Sequence, residues 1–327
     1  MAARLTHGLV VSVVVAGLVT GCARGTQLRI PDTMQPPAPG EESPAVEFFD
    51  ALVVDGRERS YRLHIPPGLD PSASSPLVVA LHGGGGNGAN LQAKVGLDAI
   101  ADREGFLVAY PDGSGRLDDY LLTWNAGNCC GYALDEQVDD TAFLRAMVAD
   151  ISQTHSIDPR RIYATGMSNG GMMSYRLACE AADLFAAVAP VAGALNLESC
   201  EPSEPVSVLA IHGTADQHVL FEGGAPVVKA DAHPRIDRSV HYALTYWAAR
   251  DGCALEPIRG QAGAVTREVY PRCEPGLAVE LIAVEGGGHA WPGALKFSPQ
   301  GDEPSHALNA SEAIWDFFEA HPKPLAP

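Results

Sequence analysis

Residues 161–180 read Arg161-Ile-Tyr-Ala-Thr-Gly166-Met-Ser168-Asn-Gly170-Gly-Met-Met-Ser-Tyr-Arg-Leu-Ala-Cys179-Glu180. Inside this stretch Gly166-Met167-Ser168-Asn169-Gly170 has the form G-x-S-x-G. Residues 162–165 are a short, largely apolar run that suits a buried strand. Residues 171–178, with Met172, Met173 and Leu177, suit a helix. A strand that turns sharply into a helix on small residues lifts one serine hydroxyl above a sheet. A Cβ at Gly166 or Gly170 would collide with the neighbouring segment, and the serine itself takes a strained backbone conformation. The pattern alone is common, and a plainer reading makes Ser168 a residue near a Gly-rich helix start. Strand, turn and helix in register favour a nucleophile.

Outward from this turn, strand-like and helix-like runs alternate. Residues 48–54 and 60–65 flank Asp55-Gly56 as a hairpin. Residues 76–81 read as a central strand, followed by a helical stretch to about 103 and a strand over 106–110. A long amphipathic helix covers 139–154, with Phe143, Leu144, Met147, Val148 and Ile151 at helical spacing. Strands follow over 185–191, 206–211 and 278–284, and helices over 238–250 and 311–320. This alternation predicts an α/β fold: one mostly parallel, doubly wound sheet covered on both faces, with the hairpin as an antiparallel edge. No internal repeat and no second domain is evident in the 327 residues.

The formal net charge of −18 excludes nucleic acid as a partner, because phosphate binding needs basic patches, and excludes electrostatic docking on anionic lipid. It does not oppose neutral esters or glycans. No protein partner is implied. Residues 1–21 read as a leader: Arg4 is followed by an apolar run over 8–20, too short to span a bilayer but suited to a signal-peptide core. Val19-Thr20-Gly21-Cys22 resembles the bacterial lipoprotein signal, in which the cysteine, here Cys22, is lipidated. Residues 22–45 are a Pro-rich tether, and the folded domain is expected over 46–323.

Seven cysteines are present, six besides Cys22, as suits an exported protein. Cys179 and Cys200 bracket the end of the nucleophile helix and the strand after it; Cys253 and Cys273 flank a turn and strand. Each pair can close a loop worth ~3 kcal/mol. Cys129 and Cys130 either bond to one another or pair with the others, and the sequence leaves both open. There is no C-x-x-C, which disfavours a redox motif or zinc ribbon. No metal and no cofactor is expected.

A serine nucleophile needs a base, and the base an orienting acid. In a doubly wound sheet both arrive at the carboxyl ends of strands. Residues 206–211 run into His212-Gly213-Thr214-Ala215-Asp216, which makes Asp216 the candidate acid over Asp231, Asp237 and Asp251. His289 follows a strong strand in the Gly-rich loop Glu285-Gly-Gly-Gly-His289 and is the candidate base. His218 is its runner-up; His233, His241, His306 and His321 lack such a setting. Oxyanion donors are expected at Asn169, next to the nucleophile, and at Gly84, with Gly83 second, in His82-Gly-Gly-Gly-Gly-Asn87-Gly88. Losing one such donor typically costs ~3 kcal/mol. Gly83, Gly85 and Gly88 also fit G-x-G-x-x-G, but no βαβ start and no strand-end acid support a dinucleotide site.

Five motifs now stand in order: His82-Gly-Gly-Gly-Gly-Asn87, Trp124-Asn-Ala-Gly-Asn-Cys-Cys-Gly131, Gly166-Met-Ser168-Asn-Gly-Gly-Met, His212-Gly-Thr-Ala-Asp216 and Gly288-His289-Ala-Trp-Pro-Gly293. Together they resemble the polyhydroxybutyrate depolymerase/feruloyl esterase family of α/β-hydrolases, most closely its actinobacterial lipoprotein esterases, over about residues 46–320. The resemblance implies an extracellular serine carboxylesterase with Ser168 as nucleophile, Asp216 as acid, His289 as base, and Gly84 and Asn169 as oxyanion donors. It places Trp124 and Trp291 either in the substrate groove or in the core, and it favours a structural role for Cys129-Cys130. No carbohydrate- or polyester-binding module and no long Ser/Thr-rich linker is seen, which favours soluble or cell-surface esters over solid polymer; the substrate is expected to be a small-molecule or polymer ester. The rival readings are an envelope acyltransferase with the same triad, a non-catalytic envelope binding protein, and a peptidase.

Overall fold

The computed structural model describes residues 3–4, 45–117, 119–229 and 233–324. The expected leader and tether, with Cys22, lie outside the described residues apart from positions 3, 4 and 45. One 11-stranded sheet organises the chain. At one edge β1 (Ala3–Arg4), β2 (Val46–Val54) and β3 (Arg57–Ile65) run antiparallel. The parallel centre follows in the order β5 (Leu107–Pro111), β4 (Ser75–Leu81), β6 (Ile157–Met167), β7 (Ala187–Val191), β8 (Ser207–Gly213) and β11 (Val279–Val284). β10 (Val265–Tyr270) and β9 (Ile258–Ala262) close the other edge antiparallel.

The alternation of β4 shows how the sheet is covered. Leu77, Val79 and Leu81 face a core shared with α4 (Asp140–Thr154), α5 (Asn169–Glu180) and α6 (Val240–Arg250). Val78 and Ala80 face the opposite core, shared with α1 (Gly88–Val95), α2 (Leu97–Glu104) and α7 (Ala310–Ala320). Period-two side chains thus feed two apolar layers, the signature of a doubly wound sheet.

The expected strands and helices are present with ends shifted by a few residues, and three features differ. The helical stretch after β4 breaks at Gly96, whose φ of 73° ends α1 and starts α2. A short helix, α3 (Gly131–Asp135), follows the cysteine pair. The β9–β10 hairpin has no strong sequence pattern in its first strand: Ile258–Ala262 is exposed throughout and exists by pairing with β10. The cysteines bond as Cys129–Cys130, Cys179–Cys200 and Cys253–Cys273.

Candidate active site

Ser168 joins β6 to α5 with φ 57° and ψ −118°, a conformation that costs a non-glycine residue energy and persists only when its surroundings fix it. They do. The Ser168 amide donates to Val191 O (2.9 Å), and its carbonyl accepts from Met172 N (2.9 Å). A Cβ at Gly170 would lie 2.2 Å from Leu81 O, and one at Gly166 2.6 Å from Gly170 O. The glycines therefore let the turn sit hard against β4, beside the loop that leaves it.

That loop begins at His82, which is buried. Gly113 N donates to His82 Nε2 (2.9 Å), so the ring proton is on Nδ1, which donates to Gly83 O (2.8 Å). Burial pushes the ring down to about 4, against the pull of the Gly83 carbonyl and Asp112, so it stays neutral and keeps this tautomer. The amides of Gly85, Gly86 and Gly88 are engaged by Leu122 O, Gly83 O and Asp112 Oδ1. A Cβ on Gly84 would stand 3.6 Å from Asn169 Cβ. Gly84, Ser168 and Asn169 border one cavity of about 660 Å³. Asn169 is fixed by two bonds to one residue: its Oδ1 accepts from Trp124 N (2.8 Å) and its Nδ2 donates to Trp124 O (2.9 Å).

The candidate acid and base follow β8 and β11. His289 Nδ1 lies 2.7 Å from Asp216 Oδ2. Asp216 Oδ1 accepts from the amides of His218 (2.8 Å) and Val219 (2.9 Å). His212 Nε2 donates to Val219 O (2.8 Å) and lies 3.4 Å from Asp216 Oδ2. Burial pushes the Asp216 carboxyl up, but hydrogen bonds from His212 and His289, with the charge those rings can carry, hold it well below the usual range. The backbone of His289 is tied to Asp302, whose Oδ2 accepts its amide (2.6 Å). The His218 ring stacks on His289 at 4.7 Å and borders the Ser168 cavity.

Serine, histidine and aspartate thus stand at the carboxyl ends of β6, β11 and β8, the placement the sequence predicts. The other candidates lie elsewhere. Asp231 falls outside the described residues. Asp237 binds Arg235 and Asn196; Asp251 closes α6; His241 contacts Glu268. The groove role of the tryptophans is corrected: Trp124 and Trp291 are both 0% exposed. Trp124 Nε1 donates to His82 O (3.0 Å) and Trp291 Nε1 to Ser311 Oγ (3.0 Å), so both brace the core. The aromatic walls of the cavity are Tyr120 and Tyr132, with Leu117, Leu121 and Met172 beside them. The Cys129–Cys130 disulfide also borders it. The roles of His82, His212 and Asp302 escape sequence reasoning. His-Gly at the ends of two strands (82–83 and 212–213) is the one signal that could have singled out the first two.

Away from this site, Glu47, His64 and Asp98 offer ligand atoms within 4.8 Å of one another. Both ring nitrogens of His64 already meet carboxylates, Glu47 at 2.6 Å and Asp102 at 2.7 Å.

The sheet order, the strained serine turn and the acid and histidine at later strand ends define an α/β-hydrolase. Solved structures agree on the fold. An acetyl xylan esterase from Aspergillus awamori aligns with a TM-score of 0.58 at 14% identity, over 84% of this chain and 99% of that one. An S-formylglutathione hydrolase from Agrobacterium tumefaciens aligns at 0.54 and 13% identity, over 86% and 99%. The family described as Esterase PHB depolymerase matches residues 59–236, and the chain belongs to it. A putative esterase, NocK, from Nocardia uniformis subsp. tsuyamanensis is 36% identical over 79% of this chain and 83% of its own length. Feruloyl esterase B of Piromyces equi is 32% identical over 71% of this chain and 42% of its own length. Feruloyl esterase C of Emericella nidulans is 30% identical over 82% and 85%. The chain is a carboxylic ester hydrolase.

Proposed function

We propose that the enzyme cleaves aryl-acyl (feruloyl-type) and acetyl esters by acyl-enzyme chemistry. His289 Nε2 takes the Ser168 proton as the hydroxyl oxygen attacks the ester carbonyl. Asp216 holds Nδ1–H and stabilises the imidazolium that forms. The amides of Gly84 and Asn169 receive the oxyanion. His289 then protonates the leaving alcohol, and water releases the acid by the same steps in reverse. The single observation that carries this reading is the 2.7 Å contact of His289 with a buried Asp216 held as an anion, at strand ends on the same end of the sheet as the Ser168 turn. The tyrosines and apolar side chains of the cavity favour a planar aromatic acyl group.

Export with a lipid anchor at Cys22 belongs to the same proposal. The three disulfides support an oxidising compartment, and among the described residues no helix is long and apolar enough to cross a membrane.

The test is turnover of methyl ferulate and of p-nitrophenyl acetate, butyrate and octanoate by the full chain and by Ser168→Ala. Hydrolysis that vanishes in the variant is expected. Turnover retained by Ser168→Ala would overturn the mechanism, and acyl transfer to an added sugar in place of release to water would mark a transferase.

A further inference from the structure

Three histidines surround Asp216. His289 bonds its Oδ2, and His212 lies against the same oxygen. His218 meets it through the backbone instead, its amide donating to Oδ1 (2.8 Å). The His218 ring is thereby left for another task.

The backbone around that ring is engaged on every side. The Gln217 carbonyl accepts from the amides of Val227 (3.0 Å) and Val228 (2.9 Å). The Val219 amide joins that of His218 on Asp216 Oδ1 (2.9 Å). The His218 carbonyl accepts from Arg235 Nη2 (2.6 Å). Arg235 is itself fixed: its side chain is 8% exposed, and its Nε donates to both oxygens of Asp237 (2.9 and 3.1 Å). Asn196 Nδ2 holds Asp237 Oδ1 in turn (2.8 Å). A loop tied at so many points sets the place of its side chain.

That place is against the His289 ring, with 4.7 Å between the centroids and 28° between the planes. Among the described residues the His218 ring makes no hydrogen bond, so it acts through its face. It also borders the cavity beside Ser168. One ring thus stands against the candidate base and against the space an ester would occupy.

His289 needs such a neighbour. The bond from Nδ1 to Asp216 fixes one ring nitrogen and leaves the ring free to swing about it. In turnover the ring must carry a proton from the Ser168 hydroxyl to the leaving alcohol, and a displacement of ~1 Å can cost about a hundredfold in rate. A flat ring stacked on it removes that freedom without occupying Nε2. Aromatic faces attract in this offset geometry, and an uncharged ring also tolerates the imidazolium that His289 becomes. Burial and the charge of His289, helped by Arg235, push the proton off His218, against the pull of Asp216 and Asp302.

We propose that His218 is a positioning residue of the hydrolase: its stacked ring fixes the orientation of His289 while the proton passes from Ser168 to the leaving alcohol. It rests on the acyl-enzyme reading with His289 as base and adds a residue to it.

Two substitutions in the full chain test it. His218→Leu keeps bulk and loses the flat face; His218→Phe keeps the face and loses both nitrogens. In His218→Leu, kcat for methyl ferulate is expected to fall about tenfold with KM little changed, and kcat/KM for p-nitrophenyl acetate only about threefold, because p-nitrophenolate leaves without a proton. His218→Phe should recover most of both losses, and both variants should melt within about 3 °C of the wild type. Proton NMR gives the second readout: the His289 Nδ1–H signal is expected to be sharp in wild type and His218→Phe and broadened by exchange in His218→Leu. Wild-type turnover and an unchanged signal in His218→Leu overturn the proposal. So does a His218→Phe enzyme as slow as His218→Leu, which would give the imidazole nitrogens a role of their own. If Ser168→Ala keeps its turnover, the acyl-enzyme reading fails separately, and the Nδ1–H signal still decides whether the stack holds His289.

Discussion

Asp216 and Asp251 are both buried carboxylates on the same side of the chain's midpoint, and their surroundings drive them apart. Asp251 closes α6, its amide donating to Trp247 O (2.9 Å). Burial pushes its carboxyl up to about 7, and the charge of Glu274 adds to the rise while the Val206 amide opposes it. Asp216 is also pushed up by burial, yet the hydrogen bonds and charge of His212 and His289 outweigh that and keep it ionised; two backbone amides bind its other oxygen. Burial alone makes an acid that keeps its proton. Burial with paired donors makes a fixed anion, which is what a histidine base requires for orientation.

The widest break in this contrast is Asp216→Asn. It keeps the shape but offers Nδ1 a donor in place of an acceptor, so the histidine tautomer is wrong. We expect kcat to fall by about 10⁴, with KM little changed and the melting temperature nearly so. Stopped-flow or steady-state kinetics on p-nitrophenyl acetate would check this, and a loss under tenfold would contradict the assigned acid.

Next in size is Asp251→Asn, read as stability. A folded-state value raised above the unfolded value of about 4 means that the native state binds more protons between those two limits. The contribution of Asp251 is therefore fully present below about pH 4 and lost as pH rises through about 7. The asparagine variant should flatten that decline and gain up to roughly 4 kcal/mol at pH 8 relative to its difference at pH 4. Urea denaturation of both proteins across this range measures it; parallel curves would remove the effect. Asp216 carries the opposite sign: its depressed value gives stability that is present above about pH 4 and lost as pH falls below it.

A finer cut is His212→Gln, which removes one of the groups that hold Asp216 down. About a tenfold drop in kcat/KM is expected, the weight of one hydrogen bond to a charged group. The acid limb of the pH profile should move upward, because Asp216 then takes a proton at higher pH. A profile that drops without moving would assign His212 a packing role only. The smallest effect is expected from Asp302→Ala, which frees the His289 amide without touching the rings. A loss of roughly threefold in kcat, reversed by Asp302→Asn, is the measure of how far that anchor positions the base.

Much of this was legible in the sequence because its signals are local. Strand runs and G-x-S-x-G place Ser168 on a turn between β6 and α5, since backbone sterics admit few other solutions there. Asp216 and His289 become candidates by the rule that functional side chains leave the carboxyl ends of parallel strands, and the fold brings the two within 2.7 Å. The cysteine pairs 179–200 and 253–273 were legible from spacing. The failures are of another kind. Trp124 and Trp291 are aromatic residues in motifs, and only packing shows that both are core. His212, His82 and Asp302 act through partners 4 to 31 residues away; the His-Gly pair at two strand ends hints at the first two, and nothing local marks Asp302. The β9 strand is exposed and carries no alternating apolar pattern, so only its pairing with β10 defines it.

By itself the sequence determined the order of elements, the parallel sheet and the three side chains at its strand ends, because periodicity and turn sterics act over a few residues. Tertiary structure alone decided which carboxylate is an anion and which keeps its proton, which aromatic residues line the cavity, and that a second imidazole ring lies against His289. Those properties depend on desolvation and on neighbours brought together from distant parts of the chain, and no local pattern encodes them.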